Sequence, residues 1–300
     1  MKRIHDYLLL VAALVCTIMY ALSLQAQSAG SSNTDTSNRR HGDVQNIGNR
    51  NVSGRIFGIL PNQVSLEQET DLGQRMAAEF EQTVKLLKGP VITEYIDRLG
   101  QNLVRHSDAK VPFQIKVVDA DAADVLALPG GFLYVNKGLI LEAESESELA
   151  GVMAHGIAHV CARHATRLQS MKQYLHLSNP TVSAGKPLSQ IAIHYSSGLG
   201  ISLELVAISR EFEMEADQLG IQYLWNTGYD PEAFVSLLEK MQIREKNNPG
   251  HSAAYFRAYP STADRIAQCR EEERALPKKD SYITSSPEFG RVKARLLADR

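Results

Sequence analysis

Ser145-Glu146-Ser147-Glu148 is a capping-box pattern, and it opens onto Leu149-Ala150-Gly151-Val152-Met153-Ala154, six residues without a polar side chain. In a capping box the serine oxygen accepts from the backbone N–H three residues on, so a helix is expected to start here. A helix that is apolar all round has no face to give to water and must run through the middle of a domain. The pattern predicts this helix from Ser145 to about Leu168. It carries His155 and His159, which sit one turn apart on one face, so both imidazoles can reach one metal ion. Burying two histidines without a metal or partners would be costly. The rest of the chain therefore has to wrap this segment and complete its histidine pair.

The chain is long enough to do so. It has 300 residues, 44% hydrophobic and 22% charged, an ordinary balance for a folded soluble protein. Its 32 Lys+Arg against 34 Asp+Glu leave no basic excess, which excludes nucleic acid as an expected partner. Cys16, Cys161 and Cys269 are too few and too scattered for a disulfide framework or a four-cysteine metal site. Cys161 and Cys269 could pair in an oxidising compartment, although Cys161, two residues past His159, points away from a metal and reads as packing.

The N-terminus reads as an export signal. Lys2, Arg3 and His5 precede an apolar run from Tyr7 to Leu24, and small residues follow. Residues 1–26 are assigned as a signal peptide, or as an N-terminal anchor if the run is retained. Residues 27–58, rich in Ser, Asn, Gly, Thr and Arg, are expected to be a solvated polar linker. A folded domain is expected over 59–276, with 277–300 as a C-terminal tail packing on it.

Within the domain, a second capping box at Ser65-Leu66-Glu67-Gln68 starts a helix predicted to run through Leu87, ended by Gly89-Pro90. Another helix is predicted from Ile92 to about Val104. Phe113 to Val118 alternates with period two and is expected to be a strand, as is Phe132 to Val135 after the Pro129-Gly130-Gly131 turn. Further helices are predicted over about Ile191–Thr227, Pro231–Ile243, Ser261–Ala275 and Pro287–Leu297. The whole is one α+β domain, mostly helical, with a small β element and no internal repeat.

The histidine pair lacks one companion. A zinc peptidase of the H-E-x-x-H type carries glutamate where Gly156 stands, and that glutamate moves the proton of the attacking water toward the leaving amine. Glycine can do neither, and it costs about 1 kcal/mol in a helix interior relative to alanine. A third ligand is also needed. A third histidine six residues after the second is ruled out by Ala165 at that place, with His164 one short. No acidic residue occurs from His155 to Leu203. The first dense acidic cluster is Glu211-Phe212-Glu213-Met214-Glu215-Ala216-Asp217, where Glu213 and Asp217 share one helix face and Glu211 and Glu215 another. One face could supply a ligand plus a carboxylate that orients a ligating histidine.

At these residues the chain resembles the M48 zinc metallopeptidases. Leu149 to Val160 is similar to their active-site helix, and Ser209-Arg210-Glu211-Phe212-Glu213-Met214-Glu215-Ala216-Asp217 to their S-R-x-x-E-x-E-A-D motif. Ala127-Leu128-Pro129-Gly130-Gly131, followed by Phe132 to Asn136, resembles the strand preceding that helix. The C-terminal stretch from Ser286 to Leu297 resembles the tail of bacterial exported members. The resemblance spans roughly Ser65 to the C-terminus and implies a zincin-like metallopeptidase domain holding one Zn2+ through His155, His159 and Glu213, with Asp217 supporting the site. It implies an endopeptidase of the periplasm or the periplasmic face of the membrane, acting on misfolded or unassembled exported proteins. The chain departs from the pattern at Gly156, and at Tyr259-Pro260, where the family commonly has His-Pro ahead of an arginine, here Arg265. Tyr259 could still donate to a developing oxyanion. Loss of the base removes a contribution of about 10²- to 10⁴-fold. Three readings follow: an endopeptidase with impaired turnover, a zinc-binding homologue that holds clients in a chaperone-like role, or a glycine introduced at Gly156 by a single base change. Glu148, two turns from His155, is too far to replace the base directly. Met171 to Leu199, with His176 and His194, is either an ordinary connection or a cover over the groove.

Overall fold

Thirteen of the sixteen residues of the central helix, Glu146–Cys161, are buried, and the three that keep some exposure are Val152, His155 and His159. These three lie at i, i+3 and i+7, so the helix opens along one strip, and that strip carries both histidines. The computed structural model describes residues 43–53, 62–178, 203–247 and 261–298. The chain divides into residues 1–45, of which only the start of a 3-10 turn at Val44–Asn46 is described, and a second unit, residues 46–300.

The second unit contains α1 (Leu66–Thr83), α2 (Pro90–Arg105), β1 (Gln114–Val118), β2 (Val125–Leu128), β3 (Phe132–Asn136), α3 (Lys137–Glu142), α4 (Glu146–Cys161), α5 (His164–Ser178), α6 (Leu203–Thr227), α7 (Glu232–Asn247), α8 (Thr262–Ala275) and α9 (Pro287–Ala298). It is an α+β fold, mostly helical, with one small sheet among the described residues. The strand order is β1-β3-β2, with β1 parallel and β2 antiparallel to β3, so β2 is an edge strand. Between β2 and β3 the turn Pro129–Gly131 places Gly130 and Gly131 at φ 73° and 96°, a left-handed backbone that favours glycine. That turn sits against α1, where Gly73 has no side chain to collide with the Pro129 carbonyl.

Around α4 pack α6, α2, α7 and β2. The crossing with α6 brings backbone against backbone. A Cβ added at Gly220 would stand 3.0 Å from the His155 amide nitrogen and 3.1 Å from its Cα. Backbone thus meets backbone at the histidine itself, and this approach sets how far α6 side chains one and two turns earlier lie from the histidines. The N-terminus of α4 is tied to the tail: Ser147 Oγ donates to Ile283 O at 2.5 Å, Tyr229 Oη to Glu146 Oε1 at 2.5 Å and Ser286 N to Glu146 Oε2 at 3.1 Å. Helix α9 then buries Phe289, Val292 and Leu296.

Several sequence expectations are revised. The helix from Ser65 stops at Thr83 rather than Leu87, because Leu86 bridges Val118 and the Leu87 amide donates to Val117 O at 2.9 Å; the sheet captures these residues. The box at Ser65 is complete, whereas at Ser145 only the serine half forms. Glu148 instead accepts from the Glu144 amide at 2.8 Å and from Lys240 Nζ at 2.7 Å. The long helix does not reach Leu168 unbroken: it ends at Cys161, and Arg163 takes φ 57° before α5 begins. Strand β2 and helix α3 add to the expected elements, both being short apolar runs without a readable period. The polar segment is not wholly solvated. The side chain of Arg50 is largely covered, donating to Asp108 Oδ2 through Nε at 3.0 Å and Nη2 at 2.6 Å, and to Gln222 Oε1 at 2.6 Å. Cys161 and Cys269 are both buried free thiols and do not pair. The apolar run from Tyr7 to Leu24 lies outside the described residues, among which no helix is long and apolar enough to cross a membrane.

The Gly220 crossing gives a direct test. Gly220→Ala gains up to about 1 kcal/mol of helix propensity, but its methyl meets the backbone of a buried helix, and overpacking typically costs about 1–3 kcal/mol. The variant is expected to unfold at lower denaturant than the parent, and one of equal or greater stability would show that the crossing is looser than described.

Candidate metal centre

His155 and His159 leave α4 from the same face, and α6 brings Glu213 against them from the side. One donor atom from each of the three lies within 4.8 Å of the others. The separations are 3.1 Å between His155 Nε2 and His159 Nε2, 3.5 Å from His155 Nε2 to Glu213 Oε2, and 3.4 Å from His159 Nε2 to Glu213 Oε1. Nitrogen and oxygen ligands at about 2.0–2.1 Å from a tetrahedral ion such as zinc stand about 3.3–3.4 Å apart along the edges. Each Glu213 oxygen stands near that separation from one of the two histidine nitrogens, so the three side chains are grouped closely enough to share such an ion. This donor set, two imidazoles and a carboxylate, is one that zinc accepts with a fourth position open.

A second layer holds the first. His155 Nδ1 is buried without a well-aligned hydrogen bond, yet lies 2.8 Å from Asp217 Oδ1, one turn beyond Glu213 on α6. Asp217 is fully buried and gripped by Arg265 of α8, whose Nε and Nη2 donate to its two oxygens at 2.7 Å each. The bidentate pair anchors the carboxylate so that one oxygen faces His155. On the other side, His159 Nδ1 stands 2.9 Å from His164 Nδ1, and His164 Nε2 stands 3.2 Å from Glu215 Oε2. Arg167 Nη1 donates to the same Glu215 oxygen at 2.7 Å.

The electrostatics follow from this layering. Burial pushes the His155 imidazole down, but Asp217 and Glu213 outweigh it and hold the group at about 9. Burial wins at His159, which falls to about 3, and it lowers His164 as well. Burial would raise Glu213, Glu215 and Asp217. The histidines hold Glu213 at about 2, His164 with Arg167 holds Glu215 at about 2, and Arg265 keeps Asp217 well below the usual carboxylate range.

At Gly156 the helix faces β2 and β3. A Cβ there would lie 3.0 Å from Leu133 Cδ1 and 3.2 Å from Val125 Cγ2, so any side chain requires those two methyl groups to give by a few tenths of an ångström. Glu148, paired with Lys240 and the Glu144 amide, is committed elsewhere. Tyr259 lies outside the described residues, as does His194, and no side-chain placement is described for His176. Of the expected cover over Met171–Leu199, the described part is the end of α5. Sequence reasoning missed His164, Glu215 and Arg167 as a group. The only signal was an alternating acidic helix, whose second face had no assigned partner.

These shifts predict how the metal-free protein responds to pH. Below pH 6.5 the unfolded chain takes up protons on His159 and His164 that the folded chain refuses, so stability falls as pH falls. Depressed Asp217 and Glu215 add to the loss below about pH 4. Above pH 6.5 the contribution of protonated His155 is lost as pH rises toward 9. The urea midpoint of chelator-treated protein is expected to peak near pH 6.5. A midpoint rising steadily from there to pH 9 would contradict the pairing of His155 with Asp217.

Comparison with known proteins agrees in kind. A family model described as Peptidase family M48 matches residues 90–273. The chain is 30% identical over 244 residues to the Beta-barrel assembly-enhancing protease of Escherichia coli (strain K12), covering 78% of this chain and 49% of that protein. It is 28% identical over 244 residues to the protein of the same name from Yersinia pestis, again covering 78% and 49%. Against the Mitochondrial metalloendopeptidase OMA1 of Schizosaccharomyces pombe it is 26% identical over 206 residues, covering 68% of this chain and 57% of that one. The chain spans about half the length of the curated relatives it matches.

Proposed function

This chain belongs to peptidase family M48, and from that premise we propose that it is a zinc-dependent metalloendopeptidase of the cell envelope with slowed turnover. The observation that carries the reading is the convergence of His155, His159 and Glu213 donor atoms within 4.8 Å. In this reading those three residues hold one zinc ion per chain, and Asp217, anchored by Arg265, orients His155. When bound, zinc supplies a Lewis acid that polarises a carbonyl and makes water acidic enough to attack near neutral pH. This chain's own residues bind and orient the substrate, and Tyr259 would donate to the developing oxyanion. Strand β2 supports an extended peptide as substrate: it is an edge strand beside α4, and among the described residues no strand pairs with its outer side.

Export rests on the basic start and apolar run through Leu24, with the protein free in the periplasm or held at the membrane by its N-terminus. The bacterial relatives are named for enhancing the assembly of beta-barrels, which supports misfolded or unassembled exported proteins as substrates. Without a carboxylate at Gly156, proton transfer from water to the leaving amine has no dedicated carrier, a loss of about 10²- to 10⁴-fold.

One observation favours a second reading, a zinc-binding homologue that holds clients without cleaving them. The place of the missing side chain is walled by Leu133 and Val125, which are apolar and cannot take a proton. Purified protein, assayed for zinc content and for cleavage of an unfolded protein substrate, separates the two. The parent is expected to cleave slowly and to stop when chelated, with Gly156→Glu faster by about 10²- to 10⁴-fold. Because Val125 crowds the site, the double variant Gly156→Glu with Val125→Ala controls for a blocked side chain. A zinc-loaded parent with no turnover, beside an active glutamate variant, would establish the binding reading instead.

A further inference from the structure

The break between α4 and α5 has an unusual cause and a specific result. Arg163, a long-chain residue at φ 57°, holds a conformation that L residues rarely adopt. Its guanidinium is fixed by Glu69 Oε2 at 2.5 Å and by the Val64 carbonyl at 2.6 Å. In an unbroken helix residues i and i+5 point about 140° apart and do not meet. The turn at Arg163 reverses this and sets the His164 ring 4.9 Å from the His159 ring, nitrogen facing nitrogen at 2.9 Å. A buried histidine retained for packing alone would be served by its stack on Phe212, with centroids 4.5 Å apart and planes 8° apart.

The hydrogen bonds run in one direction. Glu215, ion-paired with Arg167 at 2.7 Å, is ionised and can only accept, so His164 Nε2 carries the proton. His164 Nδ1 is then a lone pair, and a bond across 2.9 Å requires the proton on His159 Nδ1. That leaves the lone pair of His159 on Nε2, the atom facing His155 and Glu213. We propose that His164 and Glu215 are positioning residues for the metal centre: Glu215, acting through His164, presets the His159 tautomer that presents Nε2 to the ion. The inference rests on the metal-centre reading above and adds two residues, on two different helices, that touch no metal.

The full chain with zinc alone as the probe tests this. His164→Phe keeps the ring stacked on Phe212 and removes the acceptor, and His164→Asn keeps an acceptor near the position of Nδ1. Zinc affinity, read by competition with a chromogenic chelator, is expected to fall about 10- to 100-fold in His164→Phe. It is expected to fall less in His164→Asn than in His164→Phe, because the amide oxygen can still accept from His159 while its NH2 can also donate and so fixes the tautomer only in part. Nitrogen NMR of the metal-free parent is expected to find the His159 proton on Nδ1. In Glu215→Gln, whose amide can donate or accept, that proton should be shared between the two ring nitrogens. Undiminished zinc affinity in His164→Phe, or a metal-free parent with His159 protonated on Nε2, would overturn the proposal, and the second readout needs no variant to fold. A parent that binds no zinc at all overturns the metal-centre reading itself, which is a different result from a parent that binds zinc and is indifferent to residue 164.

Discussion

The close passage of α6 over α4 at Gly220 is the constraint on which the rest of the molecule depends. Metal-ligating side chains on two helices can share an ion only if the helix axes are held at one separation. Here the separation is set by backbone contact at His155, the residue that carries one of the candidate ligand atoms. Glu213 and Asp217 then come into register with the histidines because they lie two turns and one turn before the crossing on the same face of α6.

A buried polar group left unpaired costs roughly 1–3 kcal/mol, so a buried polar site is stable only where most of its groups find partners. The centre obeys this in two directions. His155 leans on Asp217, and Asp217 on Arg265; His159 leans on His164, His164 on Glu215, and Glu215 on Arg167. Each chain ends in a guanidinium that is charged at any ordinary pH, so the carboxylates remain acceptors and the rings keep their orientation. Breaking such a buried pair from one side strands a charge, a loss on the order of 3–5 kcal/mol. Gly156 faces Leu133 and Val125 and touches neither series, so the pairing of these groups does not depend on the side chain at that position.

Much of this was legible in the sequence for a simple reason: residues close in the chain have their geometry fixed by the helix period. The pair His155 and His159 and the shared face of Glu213 and Asp217 follow from 3.6 residues per turn, and the burial of all of Leu149 to Ala154 but Val152 follows from its apolar composition. The capping box at Ser65 and the turn at Pro129–Gly131 are local chemistry as well. Beyond one turn of helix such reasoning weakens. The run from Val84 to Leu87 reads as helix until a strand distant in sequence offers it hydrogen bonds, and Arg50 reads as solvated until Asp108 is brought beside it.

Sequence alone therefore determined that this chain builds a mostly helical α+β domain around a buried helix, and which residues on that helix and on the acidic helix can face an ion. Only the tertiary structure decided what stands behind them. It turned the chain at Arg163 so that His164 meets His159, gave the second face of the acidic helix its partner, and closed Leu133 and Val125 over Gly156. Apart from that turn, these contacts join residues tens of positions apart, and no local period encodes them. They exist because the packing of α4 against its neighbours leaves each of these groups a single place to go.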